Sequence, residues 1–513
     1  MNSLFNNWTR GQIISLSLIA ILFLAFSTIY LDTRPPPWWD EGWTMNVARN
    51  WVELDHYGHL TDGQPRAPGL DAAFPVVAPV ALSFKLFGVG VWQGRLPNVI
   101  YLFGSLFLIY FLADRLYNRS IAIGTLYVLL FISGPASFHP LTLARTVMAD
   151  FPMLFYLLAG YAVFYLSLRK SSWLILLAAI FWGISIEAKG QTLPFWLCSL
   201  AVPLGICLLK RWWRLSLLLL GGIILSWLVA QGLHVVEQIV VGEEYQREIL
   251  PGIIETVAVV LVPYIRFVAI RVVLVFSLPT LLGILYAAWK TIRSVSETQS
   301  DNKNEILNWV LLSFVSSWLL WYALLSISFN RYLFPVIFVG SIYTSALFYK
   351  LTSGFNFKQT IQNAAHLFGR NRTRNSWAAL LALALIAVNG SLSVLYINHL
   401  FTQPKTPITE VVEYLEQIST PNQLIESYES ELFFILDRPY HYPPDIVNIQ
   451  FIRRNIYYEE IDFGYDPLAA DPDFLVMGYF GELSEIYNPV LASGEFQEIK
   501  TFHGYTIYER IRE

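Results

Sequence analysis

Gln12-Ile-Ile-Ser-Leu-Ser-Leu-Ile-Ala-Ile-Leu-Phe-Leu-Ala-Phe-Ser-Thr-Ile-Tyr-Leu31 runs directly into Asp32-Thr33-Arg34-Pro35-Pro36-Pro37-Trp38-Trp39-Asp40-Glu41-Gly42-Trp43. An apolar run of about 20 residues, rising about 1.5 Å per residue as a helix, matches the roughly 30 Å hydrocarbon core of a bilayer. It is longer than a signal-peptide core and no small-residue cleavage site follows, so an uncleaved first span is expected. The proline triplet fixes three successive φ angles and starts the loop rigidly. Two adjacent carboxylates, Asp40 and Glu41, are then held between tryptophans, which favour the membrane interface. A short interfacial helix is expected from Trp43 to Leu54.

The rest of the chain agrees with this start. Of 513 residues, 55% are hydrophobic, 16% aromatic and only 14% charged, against about a quarter charged in a soluble domain. Mean hydropathy is +0.48. The apolar residues come in long runs with few charges, not in the short stripes of a soluble core. A net charge of −4 argues against a nucleic-acid partner. Cys198 and Cys207 share one apolar run; on one helix they stand roughly 13 Å apart, too far for a disulfide, and read as core thiols.

Further candidate spans lie at 95–116, 120–138, 151–168, 173–189, 191–209, 215–233, 266–290, 306–328, 332–350 and 376–400. Loops on the cytoplasmic side collect Lys and Arg. With the N-terminus inside, the inner loops carry Arg115 and Arg119, then Arg169-Lys170, then Lys210, Arg211 and Arg214. Lys290, Arg293 and Lys303 follow, then Lys350, Lys358, Arg370, Arg372 and Arg374. Every second loop is basic. Counting apolar Phe74–Phe87 as a span would invert every later loop, so it is expected outside the membrane core as an interfacial or re-entrant helix. The expected fold is an α-helical polytopic membrane protein of about eleven spans.

Residues 1–400 are thus expected to form the transmembrane module, with 32–94 as its long outer loop and further outer loops before Asp150 and at 234–265. After Phe401 the pattern turns mixed and polar, and 401–513 is expected to be a small non-cytoplasmic α/β domain. There Thr406–Ile418 reads as an amphipathic helix. Gln423–Tyr428, Asp445–Ile452 and Asp473–Tyr479 read as strands, and Phe496–Ile511 as a closing hairpin turning at Gly504. The domain shows no metal-ligand spacing, Gly-rich phosphate loop or nucleophile elbow, and the chain has no internal repeats.

The charged residues left near the outer ends of spans are Asp40, Glu41, Arg145, Asp150, Glu187, Lys189, His234 and Arg331. Each has a plain structural alternative. Asp40 can cap the following helix, with Glu41 a solvated first-turn acid. Asp150 can cap the helix opening at Phe151. Arg145 can anchor at headgroups, Lys189 can snorkel, and Arg331 with Tyr332 can be an interfacial anchor pair. His234 can be a structural hydrogen bonder. With Glu243, Glu244, Arg247 and Arg266 it otherwise lines a cavity under the outer loop.

The Trp-Trp-Asp40-Glu41 element just after a first span resembles the Asp-Glu motif of the GT-C glycosyltransferases. The subgroup it is most similar to comprises the protein O-mannosyltransferases and the lipid A aminoarabinose transferases. The likeness runs on through Lys85-Leu86-Phe87-Gly88, Arg95-Leu96-Pro97, Arg145 to Pro152, Lys189-Gly190 and Arg331-Tyr332-Leu333-Phe334-Pro335. It extends to Glu431-Leu432-Phe433-Phe434 with Asp437-Arg438-Pro439. Where the family carries Lys-Pro-Pro or His-Pro-Pro, this chain has Gln64-Pro65-Arg66-Ala67-Pro68, with Arg66 standing for the basic residue.

The resemblance implies transfer of a sugar from a polyprenyl-phosphate carrier to an acceptor hydroxyl of a lipid, glycan or protein, on the non-cytoplasmic face of a bacterial plasma membrane. It implies Asp40 as general base and Asp150 as the second catalytic acid, orienting the acceptor. Glu41, Arg66, Arg145, Lys189, His234, Arg331 and Tyr332 are implied as substrate contacts. A carboxylate takes the proton of the attacking hydroxyl, and fixed cations stabilise the departing phosphate. No metal ligands are assigned, while a divalent metal stays open as a cofactor. The competing readings are a transporter or flippase of lipid-linked sugars, and a non-catalytic assembly protein. Against the first, repeats and mid-membrane charges are lacking; the second leaves the acid pair and outer cations without a joint role.

Overall fold

The computed structural model describes residues 8–69, 73–132, 138–241, 256–297, 303–368, 373–402 and 408–512. Helix α1 (Arg10–Thr28) is followed by α2 (Trp39–Leu54), a hairpin of β1 (His59–Thr61) and β2 (Gln64–Arg66), and α3 (Phe74–Phe87). Next come α4 (Val91–Leu116), α5 (Arg119–Leu130), α6 (Pro140–Ala144), α7 (Asp150–Arg169), α8 (Leu174–Ala188), α9 (Thr192–Leu209) and α10 (Trp213–Val241). The bundle closes with α11 (Pro263–Phe276), α12 (Leu278–Glu297), α13 (Lys303–Leu324), α14 (Phe334–Leu351), α15 (Phe357–Ala365) and α16 (Arg374–Thr402).

Among the described residues eight helices are long and apolar enough to cross a membrane. They fall where the sequence placed spans. Two further expected spans are the shorter helices α5 and α8. The expected single span 266–290 is a correction: α11 and α12 meet at 87°. Leu278-Pro279 is the cause, because proline lacks the N–H that would continue α11 and disfavours helical geometry in the residue before it. Apolar Phe74–Phe87 is a separate 14-residue helix opened by Pro75, as the charge pattern required.

Large aromatics fill the bundle core. Trp182, Trp196, Trp318 and Tyr161 are fully buried, with Phe195 packed on Trp318 at 4.3 Å between ring centres. At one end of the bundle Arg119 covers Trp8, Arg169 bonds Asn304 and Trp212 stacks on Trp309. The opposite end carries α2, α3 and the C-terminal domain.

That domain opens with α17 (Ile408–Ile418) and holds a five-stranded sheet of β3 (Ile425–Ser427), β4 (Tyr440–His441), β5 (Phe474–Met477), β6 (Phe496–Phe502) and β7 (Tyr505–Arg510). The strand order is β4-β3-β5-β7-β6. β3 runs parallel to both β4 and β5, and β7 antiparallel to β5 and β6. The hairpin turns at Gly504, whose φ of +87° suits a residue without Cβ. One expectation fails. Asp445–Ile452 belongs to a helix, α18 (Asp445–Tyr457), not a strand; Pro444 precedes it in extended geometry and Tyr458 ends it in the left-handed region, while the buried Val447 and Ile449, two apart, keep the alternation that suggested a strand.

The domain does not close its core alone. Trp39 and Trp43 of α2 pack into it beside Tyr428, Phe433 and Tyr440. Trp39 Nε1 donates to the Tyr428 carbonyl at 2.8 Å, and Arg49 donates to the carbonyls of Phe434 and Leu436. The tryptophans expected at the lipid interface are instead protein contacts. Trp38, the most exposed of the three, lies against Tyr479 and Phe480.

Candidate active site

Helix α2 begins at Trp39, earlier than the Trp43 expected, because Glu41 supplies its own cap: the carboxylate accepts the Trp38 backbone N–H at 3.2 Å. Asp40 therefore sits inside the first turn and is not the cap. Gly42 follows for a steric reason. A Cβ there would come within 2.4 Å of the Ser430 and Glu431 backbone, so only glycine lets α2 touch the C-terminal domain this closely.

Glu41 is no solvated acid. Arg95 grips both of its oxygens at 2.7 and 2.8 Å, and neither side chain has any exposure. The same carboxylate accepts the Val147 N–H at 3.1 Å, and Arg95 also bonds the Leu31 carbonyl. Glu41 thus ties α2, the start of α4 and the loop before α7 into one frame. Its partner Arg95 was quoted in the sequence only as part of a short motif. The signal that could have found the pair is energetic: a charge at the start of a span has to be matched.

Arg145 is equally committed. Its guanidinium donates to the carbonyls of Phe26, Ile29, Tyr30 and Arg34, sealing the end of α1. Burial first, and the charge of Arg95 second, lower its pKa to about 10. Arg66 lies exposed on β2, where its charge acts on His441 and Tyr442. Among the described contacts nothing joins it to Asp40 or Asp150.

Two ion pairs face each other above the bundle. Asp40 accepts from Arg331 Nη1, with Met148 Sδ at 4.0 Å from the same nitrogen. Asp150, the first residue of α7, accepts from Lys189 Nζ at 2.6 Å. Lys189 caps the end of α8, and the turn closed by the Thr192 N–H on its carbonyl aims the side chain inward. The Tyr332 ring joins the pairs, with Lys189 Nζ 5.4 Å and Arg331 Cζ 5.7 Å from its centre; cations at this range are attracted to the ring. Of the residues expected from sequence, Asp40, Asp150, Lys189, Arg331 and Tyr332 therefore share one site. Asp150 is the most buried of the four charged groups, and Arg331 the most open.

His234 and Glu187 stand apart from these pairs, grouped with Glu237 at the ends of α8 and α10. Arg266 bonds the Ala323 carbonyl at 3.2 Å. Glu243, Glu244 and Arg247 lie outside the described residues. A cavity of about 620 Å³ opens elsewhere, lined by Gln12, Ser120, Tyr127, Phe276 and Asn389 among others. No Asp, Glu, His, Lys or Arg is among the residues that line it.

No protein-family model matches the chain, and no curated protein matches it in sequence. Solved structures do. ArnT from Cupriavidus metallidurans bound to undecaprenyl phosphate aligns with a TM-score of 0.61 and 15% identity, over 97% of this chain and 98% of that one. Its apo form aligns equally. The archaeal oligosaccharyltransferase AglB from Archaeoglobus fulgidus, in complex with an inhibitory peptide and a dolichol-phosphate, gives 0.55 and 12%, over 98% and 74%. The chain has the GT-C fold of these proteins, as its motifs suggested.

Proposed function

We propose that this protein is a membrane glycosyltransferase that takes a sugar from a polyprenyl-phosphate carrier on the non-cytoplasmic face. The observation that carries the reading is the double ion pair around Tyr332: two carboxylates and two cations in one mouth, with each cation held by an acid that an anionic ligand can displace. The GT-C fold supports it, since neighbours of that fold were solved with undecaprenyl phosphate and dolichol-phosphate.

In this reading the donor phosphate draws Arg331 from Asp40 and Lys189 from Asp150. Both carboxylates are then free to meet the acceptor. Asp40 takes the proton of the acceptor hydroxyl as its oxygen bonds to the anomeric carbon. The bond from that carbon to the phosphate oxygen breaks, the electron pair leaves with the polyprenyl phosphate, and Arg331 and Lys189 hold the charge that develops there. Attack opposite the leaving group inverts the anomeric centre. Asp150 orients the acceptor, and Glu41 and Arg145 keep the frame rigid.

The sidedness has its own test. Cysteines placed at Asp62 and at Glu460, both exposed, should each react with an impermeant maleimide in intact cells. Labelling of only one would separate the first loop from the C-terminal domain, and labelling of neither would place the site on the cytoplasmic face.

A further inference from the structure

Beside the paired charges, and unused by them, three metal-ligand side chains converge. Glu187 lies in the last turn of α8, and His234 and Glu237 lie on α10. The spacing of His234 and Glu237 sets them on the same helix face. Donor atoms of all three residues lie within 4.8 Å of one another. The scaffold beneath is rigid. α8 and α10 approach so closely at Gly183 that a Cβ there would stand 2.5 Å from Val229.

We propose that Glu187, His234 and Glu237 form a binding site for a divalent transition-metal cation, with zinc the best match. One imidazole and two carboxylates make a donor set that suits zinc, whereas calcium seeks six to eight oxygens. A tetrahedral cation with bonds of about 2.1 Å separates its donors by roughly 3.4 Å. His234 Nδ1 already stands 3.5 Å from Glu187 Oε1. No two donors lie more than 4.8 Å apart, so the widest separation shrinks by at most about 1.4 Å, within reach of glutamate rotamers. His234 Nε2 faces the Gln238 side-chain amide at 3.1 Å, the kind of outer contact that orients a ligating ring and fixes its tautomer. The amide then turns its oxygen toward the Nε2 proton.

The charge balance points the same way. Among the described residues the ion pairs of Glu187 and Glu237 include no lysine or arginine, only His234. Buried Tyr57, from the first loop, also feels the charge of both acids. Two carboxylates at the edge of an apolar bundle are costly unless neutralised, and a divalent cation does so while linking α8 to α10. Glu187 is two residues before Lys189, so a cation there also fixes the end of α8 from which Lys189 reaches Asp150. The site holds a positioning metal, separate from the acid that acts as base.

The test uses the full chain in detergent, stripped with EDTA and titrated with zinc chloride in a calorimeter. One zinc per chain is expected. Loss of a ligand in His234→Ala or Glu237→Gln should weaken binding by more than about 100-fold, and Gln238→Ala by about 10–100-fold. Cobalt in place of zinc should give the visible spectrum of a tetrahedral site in the wild type and lose it in His234→Ala. Gln238→Ala leaves every ligand in place, and so decides the matter even if a ligand variant misfolds. No zinc uptake by the wild type would overturn the site and leave the two carboxyls sharing a proton. Unchanged affinity in all three variants would place the metal elsewhere.

Discussion

Arg331 donates to Asp40 across 291 positions of sequence, drawing the start of α14 onto the first turn of α2. The contact places the strongest candidate base and the most open cation of the site in one pair. A resting carboxylate held this way is oriented, and it is freed when an anion competes for the guanidinium. Asp150 and Lys189 repeat the arrangement at 2.6 Å.

If these cations receive the donor phosphate, Arg331→Ala and Lys189→Ala should each weaken donor use by roughly 10–150-fold, the worth of a charge-assisted contact. Donor saturation kinetics with membranes of matched protein content measure this. Insertion and expression should stay normal. Unchanged donor dependence in both variants would return Lys189 and Arg331 to interfacial anchoring.

Glu41→Gln is expected to act on folding, not on chemistry. It strands Arg95, which has no exposure, with no counter-charge and one acceptor oxygen in place of two; breaking such a buried pair costs about 3–5 kcal/mol. The thermal midpoint in detergent should fall sharply. The double change Glu41→Gln with Arg95→Met should recover part of the loss, because no bare charge is left behind. Wild-type stability of Glu41→Gln would show that the pair does not hold the frame.

The junction between α2 and the C-terminal domain should loosen as pH rises. The Glu429 carboxyl is pushed up to about 8, by burial first and by Glu431 next. Glu431 is pushed up to about 7, chiefly by burial, against the hydrogen bonds it accepts from its own backbone and from Tyr505. Both ordinary values are 4.5. The folded protein therefore binds more protons than the unfolded chain between about pH 4.5 and 8, and stability falls as pH rises through that window. Each proton contributes up to about 1.4 kcal/mol per pH unit. Protection of the amides at 425–431, measured by hydrogen exchange relative to the intrinsic rate at each pH, should be lower at pH 8.5 than at pH 5.5, and Glu429→Gln should flatten the difference. Lower protection at the acid end would reverse the sign.

Much of the fold was legible because a bilayer imposes length and charge rules that act locally. Eight of the expected spans are single long apolar helices among the described residues, and Phe74–Phe87 is a separate, shorter helix. The sequence misled where a local pattern has two solutions. Asp-Ile-Val-Asn-Ile-Gln-Phe-Ile alternates enough to read as a strand, yet Pro443-Pro444 ahead of it and Arg453-Arg454-Asn455 after it extend one helix. The bend between α11 and α12 was visible in Pro279 but hidden by the unbroken hydropathy on either side.

The site was half legible. Asp40, Asp150, Lys189, Arg331 and Tyr332 could be named from residue type and position at span ends. What the sequence could not display was pairing. Arg95 with Glu41 and Arg145 with the carbonyls closing α1 are contacts across 54 residues and more. They separate frame from chemistry among residues that look alike on paper. Trp39 and Trp43 misled for the same reason: a domain hundreds of residues later takes the place of lipid.

The most direct test is sugar transfer by purified protein supplied with labelled polyprenyl-phosphate sugars and membrane acceptors, comparing wild type with Asp40→Asn. Asparagine keeps the size of the side chain and an oxygen to face Arg331, but it cannot take a proton. The account predicts transfer by the wild type. It predicts a loss of about 10²–10⁴-fold in Asp40→Asn, with carrier binding and thermal stability close to normal. Turnover by Asp40→Asn near the wild-type rate would contradict Asp40 as the base, and no transfer by the wild type from any polyprenyl-phosphate sugar would contradict the function itself.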